Sequence, residues 1–479
     1  MTGLVTRLRV DDGGAARMLT KSCNASESTY RRVRVDTFGR MRAMSRNYEN
    51  NETTKLFRVR GRIFFVQRLD GAHERADIKC ATYRRGLRQL DSTGGIDMRK
   101  ILSAIALLSI AFVVGGTQIA SAQTPFYKQT NLISDDTSLI PAAHQDSHTV
   151  NAWGLTASPT SPWWIANNGD DTSTLYNAFT DPIPSLVVAI PGRAPTGAVW
   201  NSANITGPPP VNVFIVRNGS ASGSAAFIFS SEAGIISGWN PNVPAPGSTQ
   251  ATVAATVPNA VYKGLAIAGT GTSARLYATN FHAGTVDVFD STFTLLPNFG
   301  FVDPNLPAGY APFGIQNIGG TLYVTYALQD EAAHDDVPGV GHGYIDAYDT
   351  AGHLLRRVAS KGPLNSPWGL AFSPDDFALF SDALLVGNFG DGLIHAYDVA
   401  GTTGDAPLLG QFHSEKGPPL KIDGLWALQF GHGAPAGSST AGSGSSNTLY
   451  FTSGPFGESH GLFGSLVPAG PPGHNSDHK

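Results

Sequence analysis

One phrase recurs six times along this chain, and no other feature narrows its fold as much. Each copy opens on a Gly among apolar residues and continues with a second apolar run, often ending near Asn. It closes on Gly-x-Ile/Val with an aromatic-Asp pair. The fifth copy is the fullest: Ser366-Pro-Trp-Gly-Leu-Ala-Phe372, Leu384-Leu-Val-Gly-Asn-Phe389, then Gly392-Leu-Ile-His-Ala-Tyr-Asp398. The anchoring glycines read as Gly154, Gly197, Gly264, Gly314, Gly369 and Gly424, spaced 43, 67, 50, 55 and 55 residues apart. Those spacings suit four strands per copy with variable loops. Short β-branched and aromatic runs between Gly, Pro, Asn and Asp clusters read as strands, and no helical period follows residue 123. A lone four-stranded sheet leaves two apolar faces bare, and a closed ring of sheets covers them all. The predicted fold is therefore all-β, a six-bladed β-propeller over residues 123–467. The sixth copy runs out near Leu466, one strand short, while Tyr127 to Ser134 (YKQTNLIS) precedes the first without a partner. Pairing the two closes the ring.

The residues ahead of this repeat belong to a different kind of sequence. All five Met and both Cys lie at or before Met98. Residues 1–97 hold 20 Lys+Arg against 11 Asp+Glu, and the remainder holds 13 against 26. Met98-Arg99-Lys100, an apolar run from Ile101 to Val114 and the A-x-A site Ala120-Ser121-Ala122 have the order of a secretory signal peptide. The run is shorter than the ~20 apolar residues of a membrane span. Residues 1–97 are accordingly read as disordered upstream translation, 98–122 as the signal, and 468–479 as a flexible tail without an apolar anchor. Localisation is predicted as secreted or periplasmic, with no membrane span in the mature chain. The absence of Cys past the signal excludes disulfides, Cys-based zinc and thiol nucleophiles there. An acidic surface argues against nucleic acid as a partner.

Function must sit where the loops converge. If strands run from inner to outer in each blade, the loop leading into the innermost strand shares a face with the second-to-third loop. The leading loops carry His148, Asn151, Lys263, Asn365, Trp368 and Asp423. The second-to-third loops carry Asn167, Asn280, His282, Asn388, Asp391 and the stretch from Asp330 to His342. Asn151, His282, Asn365, Trp368 and Asp391 are the candidate ligand-binding residues. Asn167, Asn280, Asn388 and Asp423 are candidate ligands for calcium or another divalent cation, since such cations prefer oxygen donors. Asn at a strand end also serves as an ordinary turn residue. The loop from Asp330 lacks the Gly an EF-hand requires and reads as a solvated acidic loop. Trp153, Trp368 and Trp426, near the repeat glycines, read as wedges between blades, with a sugar-stacking platform as the alternative.

Several long phrases resemble a family of uncharacterised secreted bacterial β-propellers, some carrying PEP-CTERM tails. They include Asn151-Ala-Trp-Gly-Leu-Thr-Ala-Ser-Pro159, Tyr262-Lys-Gly-Leu-Ala266, Asn280-Phe-His-Ala-Gly284, Pro363-Leu-Asn-Ser-Pro-Trp-Gly369 and Ile422-Asp-Gly-Leu-Trp-Ala-Leu428. Individual blades also look like NHL repeats. The resemblance implies a propeller and export but no activity, and this chain lacks the PEP-CTERM tail. No G-x-S-x-G, H-E-x-x-H or P-loop is present. Two functions are carried forward. The first is a ligand-binding or interaction module that meets an extracellular ligand or protein through the Asn/Asp-rich face. The second is a metal-dependent hydrolase of the propeller lactonase type, in which a cation polarises a carbonyl.

Overall fold

A computed structural model describes residues 126–178, 185–401, 403–433 and 442–470, together with six strands among the first 78 residues. The chain divides into two compact units, Met1–Thr117 and Gln118–Lys479. In the first unit, Leu4–Val10, Ala16–Ser22, Arg31–Val33 and Asp77–Ile78 form one antiparallel sheet, and Thr54–Val59 pairs with Arg62–Gln67 as a hairpin. These six strands are the described elements within residues 1–97, the stretch that the sequence reading takes as disordered. Their signal is a brief alternation, as in Leu4, Thr6, Leu8 and Val10, too short to register as a sustained period. The signal-peptide stretch 98–122 and the end of the tail, 471–479, lie outside the described residues.

The second unit is a six-bladed β-propeller. Blade one comprises Ala152–Thr156, Trp163–Asn167, Thr172–Tyr176 and Val188–Ala189, hydrogen-bonded in that order from inside to outside. Blades two to five repeat the order, with innermost strands Pro195–Trp200, Tyr262–Ala268, Tyr310–Ile318 and Pro367–Phe372. Blade two inserts a separate hairpin, Ile215–Asn218 with Ala221–Ser224. Blade six takes three strands from the end of the chain, Leu425–Phe430, Leu449–Ser453 and Leu462–Pro468. Its fourth strand is Phe126–Ser134, antiparallel to the third, with Leu462 opposite Ser134 and Pro468 opposite Tyr127. The ring therefore closes as the sequence predicts. Each innermost strand touches the next, and the sixth touches the first.

Glycine recurs because the innermost strands approach too closely for a side chain. A Cβ on Gly314 would stand 2.1 Å from the Trp368 carbonyl oxygen of the next blade, and one on Gly369 2.4 Å from that of Trp426. In blade six the sequence reading was off by three residues. Gly424 has φ +62° and leads into the strand, a conformation Gly adopts without steric cost. Ala427 occupies the repeat position, its N–H accepted by Thr452 Oγ1 at 3.0 Å just as the Gly314 N–H is by Thr325 Oγ1 at 2.8 Å. The sixth joint admits a methyl group.

Apolar clusters fill the joints between blades. One holds Tyr127 against Phe412, at 3.8 Å between ring centroids, and against Phe377 and Phe380 from blade five. The closing strand thus bonds to blade six and stacks on residues of blade five. Tyr127→Ala is expected to cost about 3–5 kcal/mol in urea denaturation, the range of large buried aromatics. Lys128→Ala on the exposed side of the same strand should be near neutral; equal losses at both positions would contradict this account of closure.

Candidate functional site

The residue before each repeat position lies at the axis. In blades one to six these are Trp153, Thr196, Lys263, Phe313, Trp368 and Trp426. Trp153 stacks on Trp426 at 3.6 Å, and Trp368 meets both edge-on at 6.2 and 5.8 Å. Phe313 meets Trp426 edge-on at 5.9 Å, and the Trp368 indole N–H donates to the Lys263 carbonyl oxygen at 2.9 Å. Three of these contacts, Trp153–Trp368, Phe313–Trp426 and Trp368–Lys263, join blades that are not neighbours, so they cross the ring. Their rings fill the channel and are buried. Trp368 was expected to bind ligand, and all three Trp to wedge between blades or offer a stacking platform. They instead plug the axis, because six innermost strands converge there with no other apolar material to fill the space.

Lys263 is the exception among the six. Its side chain is 2% exposed. The ammonium donates to Glu232 and, at 3.0 Å, to Asp335, and lies 5.3 Å above the Trp153 ring. Burial alone would depress this ammonium, and the two carboxylates more than offset that, holding it above the usual lysine range. Glu232 directly follows the second strand of blade two, and Asp335 comes from the long loop of blade four. Asn168, after the second strand of blade one, reaches Glu232 at 3.4 Å. Asn151 joins the rest: its amide donates to Asn168 at 3.0 Å and to Glu458 of blade six at 2.8 Å. Its oxygen accepts from the Trp426 indole at 3.1 Å. Asn151 has φ +48°, a conformation asparagine tolerates better than other side chains. Five blades therefore contribute to one network that rests on the plug.

The network carries excess negative charge. Asp336 and Glu458 make no salt bridge among the described residues. Burial pushes the Asp336 carboxyl up to about 6, partly offset by the Ser366 hydroxyl and by Lys263. Burial likewise raises Glu458. The loop from Asp330 is largely solvated, and from it Asp335, itself exposed, reaches the Lys263 ammonium. Within it, Asp330 Oδ1 accepts from the His334 N–H at 2.8 Å and fixes the turn.

The other predicted residues are placed as follows. Asn365, Asn388 and Asp391 gather in blade five, Asp391 accepting from Asn365 at 3.2 Å and from Asn388 at 3.1 Å. Asn365 Oδ1 also accepts from the Gly339 N–H at 2.6 Å, which ties blade five to the blade-four loop. His282 is exposed. The proposed cation ligands come from blades one, three, five and six. Asn167 spends its amide on Thr172 and Thr174, Asn280 on Asp287, and Asn388 on Asp391 and the Pro363 carbonyl, each inside its own blade. Asp423 is exposed and accepts from the Phe456 N–H at 2.9 Å. Strand-end asparagines fasten local backbone here, as their turn chemistry allows. Among the described residues, the group close enough to share a cation is Glu232, His334 and Asp335, with ligand atoms within 4.8 Å of one another.

Fold and site together define a class: a propeller with a plugged axis and one face on which carboxylates surround a buried lysine. The chain belongs to the family of the uncharacterised protein R648 of Acanthamoeba polyphaga mimivirus. The two are 34% identical over 312 residues, covering 63% of this chain and 73% of the relative. The uncharacterised protein L690 of the same virus is 31% identical over 312 residues, covering 63% and 78%. These relatives are viral, whereas the phrase-level resemblance pointed to secreted bacterial propellers. No protein-family model matches the chain. Among solved structures, the streptogramin B lyase structure aligns over 72% of this chain and 98% of that one, with 11% identity and a TM-score of 0.37. A chain of the nidogen/laminin complex aligns over 64% and 85%, with 13% identity and a TM-score of 0.35.

A carboxyl held high by burial makes stability fall as pH rises. The folded Asp336 keeps its proton up to about 6, above the ordinary carboxylate value of 3.8, so the native state binds more protons between them. Asp336→Asn should melt higher than the parent above pH 6, and the two should converge below about pH 4, in thermal scans at matched salt. A constant offset across that range would contradict the placement of Asp336.

Proposed function

We propose that this protein is an exported ligand-binding or interaction module that meets its partner through the face bearing Lys263. What carries the reading is the bonded series Glu458–Asn151–Asn168–Glu232–Lys263–Asp335, drawn from blades six, one, two, three and four. Binding residues already held by one another lose little freedom on contact, so such a face favours recognition. The plug leaves no passage along the axis, so the ligand meets a floor rather than a pore. The signal-like segment 98–122 of the sequence supports an encounter outside the cytoplasm. The test uses the full chain against immobilised glycan and protein panels. Glu232→Gln and Glu458→Gln should each weaken a captured partner at least tenfold while the melting transition stays cooperative. A partner indifferent to both substitutions would refute the assignment to this face.

The hydrolase reading, with calcium or a similar cation on Asn167, Asn280, Asn388 and Asp423, is the second reading and is favoured less by these residues. Three of the four donors are neutral, and although the Asn167 and Asn388 side-chain oxygens are buried without a hydrogen-bond partner, Asn280 Oδ1 already accepts from the Val261 and Ala283 N–H groups. The closer trio Glu232, His334 and Asp335 already holds the Lys263 ammonium against two of its members, a positive charge where a metal would place its own. The purified full chain is expected to carry no stoichiometric calcium by elemental analysis and to melt at the same temperature with or without EDTA. Stoichiometric metal whose removal lowers the melting temperature would reinstate the hydrolase.

A further inference from the structure

The sequence contains two Asn-Gly steps, Asn168-Gly169 and Asn218-Gly219. Glycine has no Cβ, so the backbone nitrogen that follows each asparagine is unshielded. That nitrogen attacks the asparagine's own amide carbon when the two are free to approach each other, and hydrogen bonds that hold them apart slow the attack. The structure places the two steps in opposite situations.

Asn168-Gly169 is tied at each of these groups. The Gly169 N–H donates to the Val150 carbonyl oxygen at 3.1 Å. Asn168 Oδ1 accepts from Asn151 at 3.0 Å, and its amide donates to Glu232 at 3.4 Å. Both residues lie in the single 3-10 turn Asn168–Asp170. A Cβ on Gly169 would stand 2.6 Å from the Val150 side chain, so the peptide is pressed against the loop leading into blade one.

Asn218-Gly219 is tied at neither. It forms the tip of the hairpin that blade two inserts, with Asn218 paired to Ala221 across a two-residue turn. Gly219 has φ +58°, which glycine adopts without cost at the first position of such a turn. Both residues are exposed. Among the described residues, neither the Asn218 side chain nor the Gly219 N–H has a hydrogen-bond partner. A Cβ on Gly219 would meet nothing within 4 Å. The root of the hairpin is fixed by contrast, with Val216 1% exposed and the Phe214 ring 5.1 Å from that of Phe293.

We infer that Asn218 is a site of spontaneous covalent modification, deamidated through the Gly219 nitrogen with water as the sole co-reactant. The Gly219 nitrogen gives up its proton and bonds to Asn218 Cγ. The Cγ–Nδ2 bond breaks, and ammonia leaves with that proton, which closes a cyclic imide. Water then opens the imide at either carbonyl, giving aspartate or isoaspartate. One water enters, one ammonia departs, and nothing is oxidised or reduced. The tip gains a negative charge beside Arg217. Isoaspartate also adds a carbon to the main chain, which breaks the Asn218–Ala221 pairing and opens the hairpin from its tip while root and ring hold. The inference stands apart from the binding function.

The full chain would be kept in mildly alkaline buffer and sampled over weeks by peptide mapping, with isoaspartate labelled by an isoaspartyl methyltransferase. Asn218 should convert at least tenfold faster than Asn168. In urea, where both steps are freed, the two rates should come within about threefold, so that the fold and not the neighbouring sequence sets the difference. Asn218→Gln should abolish isoaspartate at the tip and leave the melting temperature unchanged. Hydrogen exchange across residues 215–224 should be faster in aged than in fresh protein, at an unchanged melting temperature. Equal conversion of the two asparagines in the folded chain would overturn the proposal, as would an Asn218 that stays intact while the chain in urea reacts. Unaltered exchange in protein shown to carry isoaspartate would overturn the opening of the hairpin.

Discussion

The structure depends on how closely six innermost strands pack around one axis. At most joints the approach leaves no room for a Cβ, which is why glycine recurs at Gly154, Gly197, Gly264, Gly314 and Gly369. That packing decides what happens one residue earlier in each strand. A β-bulge at the same place in every innermost strand breaks the alternation of side chains and turns the residue before the repeat position toward the axis. Six such residues meet there, four of them large aromatics. The ring can close only if they fill the space, and with Trp153 stacked on Trp426 and Trp368 edge-on to both, they do.

The one charged residue at these positions creates the site. An unpaired buried ammonium is far costlier than a paired one, so Lys263 requires carboxylates within reach. Glu232 and Asp335 supply them from the flanking blades. Carboxylates recruited to one lysine also sit near one another, and Asp336 and Glu458 bring more negative charge than Lys263 neutralises. The acidic character of the face thus follows from axial packing plus one basic side chain, and the asparagines at its edge hold the arrangement in register.

The fold was legible in the sequence because its information is local and repeated. Strand runs, spacings and the unpartnered segment Tyr127 to Ser134 are each read within a few residues, and the closing strand falls where they indicate. The repeat position of blade six was misplaced because Asp423-Gly424-Leu425 imitates the phrase, while the residue that packs against the next blade is Ala427. The site was legible only in part. Asn151 was identified from its place in a leading loop, but its partners Asn168 and Glu458 lie 17 and 307 residues away. Glu232, Asp336 and Glu458 carry no spacing signal, since distant blades supply them. One signal was available: lysine stands in blade three where the other blades place Trp, Phe or Thr, and a charge at a core position implies a buried counter-charge. The candidate cation ligands were chosen by residue type at strand ends, where neighbouring Thr and Asp side chains also engage the amide nitrogens.

The coupling between Lys263 and its carboxylates tests this account most directly, through a double-mutant cycle on the full chain with Lys263→Met and Glu232→Gln. Lys263→Met alone should destabilise the protein by about 3–5 kcal/mol, as breaking a buried pair does by stranding the opposite charge. Adding Glu232→Gln should restore a substantial part of that loss. Strictly additive losses, with no interaction between the two positions, would mean that the lysine does not organise the face.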